Sequence, residues 1–239
     1  MNERDNRRAF LSIAGAGALL AACREAEHPS GAAEPGSEGK GEDVSATEDL
    51  MREHGVIRRV LVVYREASAR LRSTPASVPP EALQKAAKLI RTFAEDYHEK
   101  QLEEAHIFPV LAKAGGPLAG TVDTLTAQHQ RGREITEYVL AVTVRTLGAT
   151  AAEPLARTLE AFARMYEEHA AIEDTVIFPA WKKALSPKDL DAMGDQFEDI
   201  EHKTFGKDGF DDAVEQVAAI EKILGVDLAS VNPPPPPRP

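Results

Sequence analysis

The sequence of 239 residues contains one cysteine, Cys23. A lone thiol excludes an intrachain disulfide framework and any zinc or iron–sulfur site built on thiolates. Positive charge is also scarce: 28 Lys and Arg stand against 39 Asp and Glu, giving a formal charge of -11 and a pI near 5.2. An extended phosphate-binding surface needs clustered Lys and Arg to displace counterions, so nucleic acid is not expected as a partner. Sustained alternation of apolar and polar residues is missing too, and with it the mark of half-buried strands. Any chemistry must therefore rest on His, Asp, Glu or Tyr.

What is present suits one globular domain with appendages, since 43% of residues are hydrophobic and 28% charged. The appendages come first. Ala9 to Ala22 carries no charge but is too short to cross a bilayer as a mature helix, so residues 1–22 read as a signal peptide. Arg7-Arg8 followed by Phe10-Leu11 looks like a twin-arginine export signal, and Leu20-Ala21-Ala22-Cys23 looks like a bacterial lipoprotein box. That resemblance implies cleavage before Cys23, lipidation of its sulfur, a membrane partner and a place in the cell envelope. Residues 23–44 are rich in Gly, Ser, Glu, Ala and Pro and form a tether, because almost nothing there offsets the entropy of ordering. Residues 227–239 contain the run Pro233–Pro237 and read as an extended tail.

Between the appendages, apolar residues recur every three or four positions, which predicts an all-α fold. Ser45-Ala46-Thr47-Glu48 has capping-box spacing and starts a helix that ends near Ser73. A second helix runs from Pro79-Pro80 to about Lys113, stopped by Gly115-Gly116, and a third from about Leu118 to Thr146. Pro154 suits a first-turn position, so a fourth runs from there to about Ala184. These four make an up-down-up-down bundle over residues 45–185. Two further helices, from Ser186 and from Phe210 to Leu224, pack outside it within residues 186–226.

His54, His98, His129 and His169 fall one on each long helix. Ligands at a common depth on antiparallel helices build a metal site inside a bundle core. On the fourth helix His169 and Glu173 stand at i and i+4, about 40° apart around the axis, so both can reach one cation. An internal repeat adds to this. Glu103-Glu104-Ala105-His106-Ile107-Phe108-Pro109 parallels Glu173-Asp174-Thr175-Val176-Ile177-Phe178-Pro179, as though the bundle were two related hairpins. The register slips by one residue between His98 and Glu103. A residue at i+5 lies about 140° around an ideal helix, so sharing a cation requires a single-turn π-bulge there.

Together, His54, His98 with Glu103-Glu104 and Phe108-Pro109, His129, and His169 with Glu173-Asp174 and Phe178-Pro179 resemble the bacterial haemerythrin-like, or HHE, domain. The resemblance implies a four-helix bundle holding two non-haem irons, with His54, His98, His129 and His169 as terminal ligands and Glu103 and Glu173 as bridges. The family's fifth histidine is missing, since Leu125 and Arg133 stand one turn either side of His129. His202, His106, Glu99 or Glu104 are its candidate substitutes, with His106 and Glu99 read as surface residues. Tyr64, Tyr97 and Tyr166 lie near the same layer. Imidazole with carboxylate suits iron, zinc or manganese. Three function classes stay open: a binder or sensor of dioxygen or a related small oxidant, a di-iron enzyme consuming peroxide or nitric oxide, and a metal-free or zinc-bound envelope scaffold.

Overall fold

A computed structural model of the chain describes residues 44–144, 148–230 and 232–237. The expected signal peptide, Cys23 and nearly all of the tether lie outside the described residues. Six helices carry the fold, and no strand occurs among the described residues. None of these helices is long and apolar enough to cross a membrane.

Helix α1, Ala46–Ser73, begins where the Ser45 hydroxyl accepts the Glu48 N–H at 3.3 Å. Glu48 and Asp49 in its first turn and Arg70 and Arg72 in its last complement the helix dipole. Leu50, His54, Ile57, Leu61 and Tyr64 are buried along one stripe, the three-and-four spacing that sets which face turns inward. Helix α2 is a continuous run of Pro80–Leu89, Ile90–Ile107 and Phe108–Ala114, closed by Gly115 and Gly116 at φ 72° and 71°. Only residues without a β-carbon adopt that backbone readily, which explains the stop. Helix α3, Pro117–Val142, ends short of the expected Thr146.

Helix α4 joins Ala149–Ile172, Glu173–Ile177 and Phe178–Ala184. It starts earlier than expected, so Pro154 lies inside the helix and not in its first turn. There the proline forgoes the bond its missing N–H would have given to the preceding turn, and its ring crowds the carbonyl of that turn. Helix α5, Pro187–Phe205, is capped by Ser186, whose hydroxyl accepts the Asp189 N–H at 3.2 Å, and stops at Gly206. Helix α6, Gly209–Leu224, is capped by Asp208.

Helix α1 packs along α4, α3 packs on α2 and α4, and α5 and α6 lie against α1 and α2. Ser68 donates to the Ala156 carbonyl at 2.9 Å between α1 and α4, beside the edge-on pair Tyr64 and Phe162. Trp181 stacks on Phe197 with rings 5.8 Å apart, fixing the end of α4 on α5. Gly132 on α3 lets Tyr166 of α4 approach: a β-carbon there would sit 2.0 Å from the tyrosine hydroxyl. The absence of that one atom lets Tyr166 reach the interior described next.

Candidate metal centre

The middle of α2 is wound as a π-helix from Ile90 to Ile107, longer than the single turn that the slipped register requires. Its last bond runs from the Phe108 N–H to the Glu103 carbonyl, an i→i+5 link. The wider turn swings Glu103 back toward the face that carries His98. A second π segment, not expected from the sequence, spans Glu173–Ile177 and closes through the Phe178 N–H to the Glu173 carbonyl. Each widened stretch ends at a Phe-Pro pair, where Pro109 or Pro179 lacks the N–H that an unbroken α-helix would use.

These windings bring the six residues expected as ligands into one buried cluster. His54, His98, His129 and His169 are each at most 2% exposed, and Glu103 and Glu173 are fully buried. The Nε2 atoms of His54 and His98 face each other at 3.1 Å, and those of His129 and His169 at 3.0 Å. Glu103 spans the two pairs, with Oε1 3.4 Å from His98 Nε2 and Oε2 3.4 Å from His129 Nε2. Glu173 Oε2 lies 3.0 Å from His169 Nε2 and 3.5 Å from His54 Nε2. Two overlapping donor sets face inward, His54, His98 and Glu103, and Glu103, His129, His169 and Glu173, and a third, Glu99, Glu104 and His129, lies on the outer side of His129.

The outer nitrogens fix the tautomers. His54 Nδ1 meets Asp174 at 2.7 Å, His98 Nδ1 meets Glu53 at 2.6 Å, His129 Nδ1 meets Glu104 at 2.8 Å, and His169 Nδ1 meets Gln128 Oε1 at 2.9 Å. With Nδ1–H donating outward, a ring that has shed its second proton turns a lone pair inward from Nε2, as metal-binding histidines do. The inner carboxylates then have no donor: both oxygens of Glu103 and of Glu173 are buried without a hydrogen-bond partner among the described residues. Two unpaired carboxylates in a dry core cost several kcal/mol apiece, roughly, and a cation between them removes that cost. The residues present therefore fit a bound cation.

Protons occupy the same electrostatic role in the metal-free protein. Burial alone would push the His98 pKa down, but Glu103 and Glu53 outweigh it and hold it well above the ordinary value. The His129 pKa rises to about 10 against burial, under the influence of Glu99, Glu103 and Glu104. Against the opposing effect of burial, His98 and His129 hold Glu103 well below the usual carboxylate range.

The proposed substitutes for a fifth histidine do not join the inner cluster. His202 is exposed on α5, and His106 is half-buried against Phe197 with ring centroids 5.7 Å apart. Glu99 is not a surface residue; it is 2% exposed and accepts the Tyr166 hydroxyl at 2.7 Å. It approaches His129 only on the outer side, 3.9 Å from Nδ1. Glu104 also serves that outer nitrogen, and Arg133 bonds Glu99 at 3.1 Å and Glu104 at 2.7 Å, already supplying the positive charge. Of the tyrosines, Tyr97 donates to Glu53 at 2.9 Å, whereas the Tyr64 hydroxyl is buried without a partner among the described residues.

Sequence reasoning missed the outer partners Glu53, Gln128 and Asp174. The signal was adjacency: Glu53 and Gln128 immediately precede a histidine, and Asp174 immediately follows Glu173. Successive residues on a helix point about 100° apart, so the neighbour of an inward ligand faces the next helix and meets that helix's histidine.

The comparisons with known proteins agree with this geometry. The haemerythrin HHE cation-binding domain matches residues 45–181. Uncharacterized proteins of Mycobacterium bovis and Mycobacterium tuberculosis are 43% identical over 228 residues, covering 93% of this chain and 88% of theirs. No solved structure matches the chain. With the family's domain spanning the helices that carry the buried histidines and glutamates, the chain belongs to the haemerythrin HHE cation-binding family.

Proposed function

We propose that the protein is a non-haem di-iron protein of the cell envelope that binds or senses dioxygen or a related small oxidant. The observation that carries this reading is the pairing of four inward Nε2 atoms with four unpartnered oxygens of Glu103 and Glu173. His54 with His98 would hold one iron and His129 with His169 the other, Glu103 and Glu173 bridging them across an up-down-up-down bundle. Carboxylates held between two cations would lower their mutual repulsion. Iron bound by these residues would supply electron transfer to a diatomic or peroxide ligand.

The chain's own residues do the rest. Asp174, Glu53, Glu104 and Gln128 hold the four imidazoles in place. Phe178 stacks on His54 and Phe108 on His129, each at 5.4 Å, keeping water from the rings. Export by the twin-arginine route and lipidation of Cys23 would place the folded, loaded domain at the membrane surface; the Arg7-Arg8 and Leu20–Cys23 motifs support this.

Metal analysis of anaerobically purified protein, with the optical spectrum before and after air, tests the reading. Two irons per chain and a stable, reversible oxygenated spectrum are expected. Zinc, or no metal, would refute it.

A further inference from the structure

The two hairpins build nearly the same half-site twice. His54 and His98 lie 4.8 Å apart at 52°, and His129 and His169 repeat both values. The repeat extends outward: Arg58 supports Asp174 as Arg133 supports Glu104, and Glu53 and Gln128 take corresponding places. The outer groove is where the halves part.

On the second half, between α3 and α4, a cleft of about 470 Å³ is lined by Gly120, Thr124, Leu125, Gln128, Ile172 and Val176, with His169 and the exposed Glu168 also in its wall. Ile172 and Val176 are 41% and 39% exposed, so the cleft has an apolar rim open to solvent. On the first half, the positions matching those on the α4 wall are filled by α5. Tyr97 lies edge-on to Phe205 at 5.1 Å, Gln101 accepts the Thr204 hydroxyl at 3.2 Å, and His106 packs on Phe197. Nearby, Arg52 sits 4.3 Å over the Phe210 ring of α6. Glu53, the counterpart of Gln128, is left 1% exposed.

We infer that the site is open on one side only: small, weakly polar molecules of diatomic or peroxide size reach it past Gln128 through the α3–α4 cleft, while α5 closes the equivalent approach past Glu53. The lining selects for that class. Leu125, Ile172 and Val176 give a hydrated ion nothing to replace its water, and the exposed Glu168 carboxylate is already paired with Arg164 at 3.2 Å, whereas a small neutral molecule enters such a cleft at little cost. Gln128 is then a positioning residue. It holds His169 through a neutral amide, a weaker tie than the charge-assisted bond between Glu53 and His98, so the ring beside the opening is also the more loosely held.

The inference rests on reading the four-histidine cluster as the working site, and its test does not need metal. Deuterium exchange at the imidazole C2 position, followed by mass spectrometry on the full metal-free chain, reports access to each ring. His169 should exchange severalfold faster than His98. Gly120→Trp should slow His169 alone; a β-carbon at Gly120 meets nothing within 4 Å, so a side chain can leave the backbone there without a clash. Thr124→Trp gives a second plug should the first fail to fold. Phe205→Ala should speed His98 alone. In cobalt-loaded protein, either plug should slow removal of the metal by a chelator severalfold. Equal exchange at His98 and His169, or plugs that change neither rate, overturns the inference. A chain that binds no metal yet shows the exchange contrast refutes the di-iron reading and leaves the one-sided opening standing.

Discussion

The halves of the centre use the same parts in the same places and differ in what stands behind them. Behind His98 is Glu53, itself held by the Tyr97 hydroxyl and covered by α5. Behind His169 is Gln128 beside an open cleft. A carboxylate acceptor raises the electron density of the imidazole it holds, and an amide does so less. The duplication thus supplies a symmetric set of ligands, and the surroundings make the two positions unequal.

Removing what both halves share should have the largest effect. Glu103 touches both histidine pairs, so on the proposed di-iron reading Glu103→Ala should drop the content from two irons to one or none, and Glu173→Ala should do likewise. His106→Ala should leave the content intact. Iron per chain, with the oxo-to-iron absorption followed in parallel, checks all three; two irons retained in both glutamate variants would remove the bridges from the scheme.

The second prediction concerns a register position where the halves carry different chemistry. Three residues before His98 stands Glu95, and three before His169 stands Tyr166. Glu95 is fully buried, accepts the Thr136 hydroxyl at 2.5 Å and lies 3.2 Å from Arg91. Burial pushes its pKa from 4.5 up to about 7, with the Thr136 bond opposing. The native state therefore holds a proton that the unfolded chain releases, so stability is full below about pH 4.5 and is lost as pH rises through about 7. Glu95→Gln should match the wild type in acid and exceed it at pH 8 by up to about 3 kcal/mol. Urea unfolding at both pH values decides it; a difference independent of pH would contradict the account.

Exchanging the groups that distinguish the halves should have a smaller effect. Glu53→Gln should weaken metal binding about tenfold, roughly 1.4 kcal/mol, and Gln128→Glu should strengthen it. Calorimetric titration of the metal-free variants with zinc measures both. Opposite signs are the expected outcome, and equal signs would mean that the outer partners do not govern the difference.

The arginines behind the acids should matter least. Arg133, 24% exposed, bonds two carboxylates, while Arg58, 43% exposed, bonds Asp174 alone among the described residues. Arg133→Ala should cost more metal affinity than Arg58→Ala, each by under about 1 kcal/mol given their solvent contact. The same titration orders them.

Much of this was legible before any coordinates. The all-α class, the four histidines, both glutamates and a widened turn before Glu103 followed from spacing, because a helix converts sequence distance into direction. The length of the winding in α2 and the second π segment in α4 were not legible, since the choice between i→i+4 and i→i+5 bonds turns on packing that spans many residues. Glu99 shows the same limit. A glutamate flanked by His98 and Lys100 looks solvated, and it is buried because Tyr166, admitted by Gly132, and Arg133 reach it from two other helices.

By itself, the sequence determined which residues share a helix face, and hence which histidines and glutamates could meet, the internal repeat and the absence of any thiolate alternative. Which carboxylate stands behind which imidazole, that α5 fills one groove and leaves its counterpart open, and that His106 and His202 stay out of the cluster were decided only in three dimensions. The physical reason is that direction along one helix is local and periodic, whereas a partner's identity depends on the relative depth and rotation of separate helices, which the whole core sets at once.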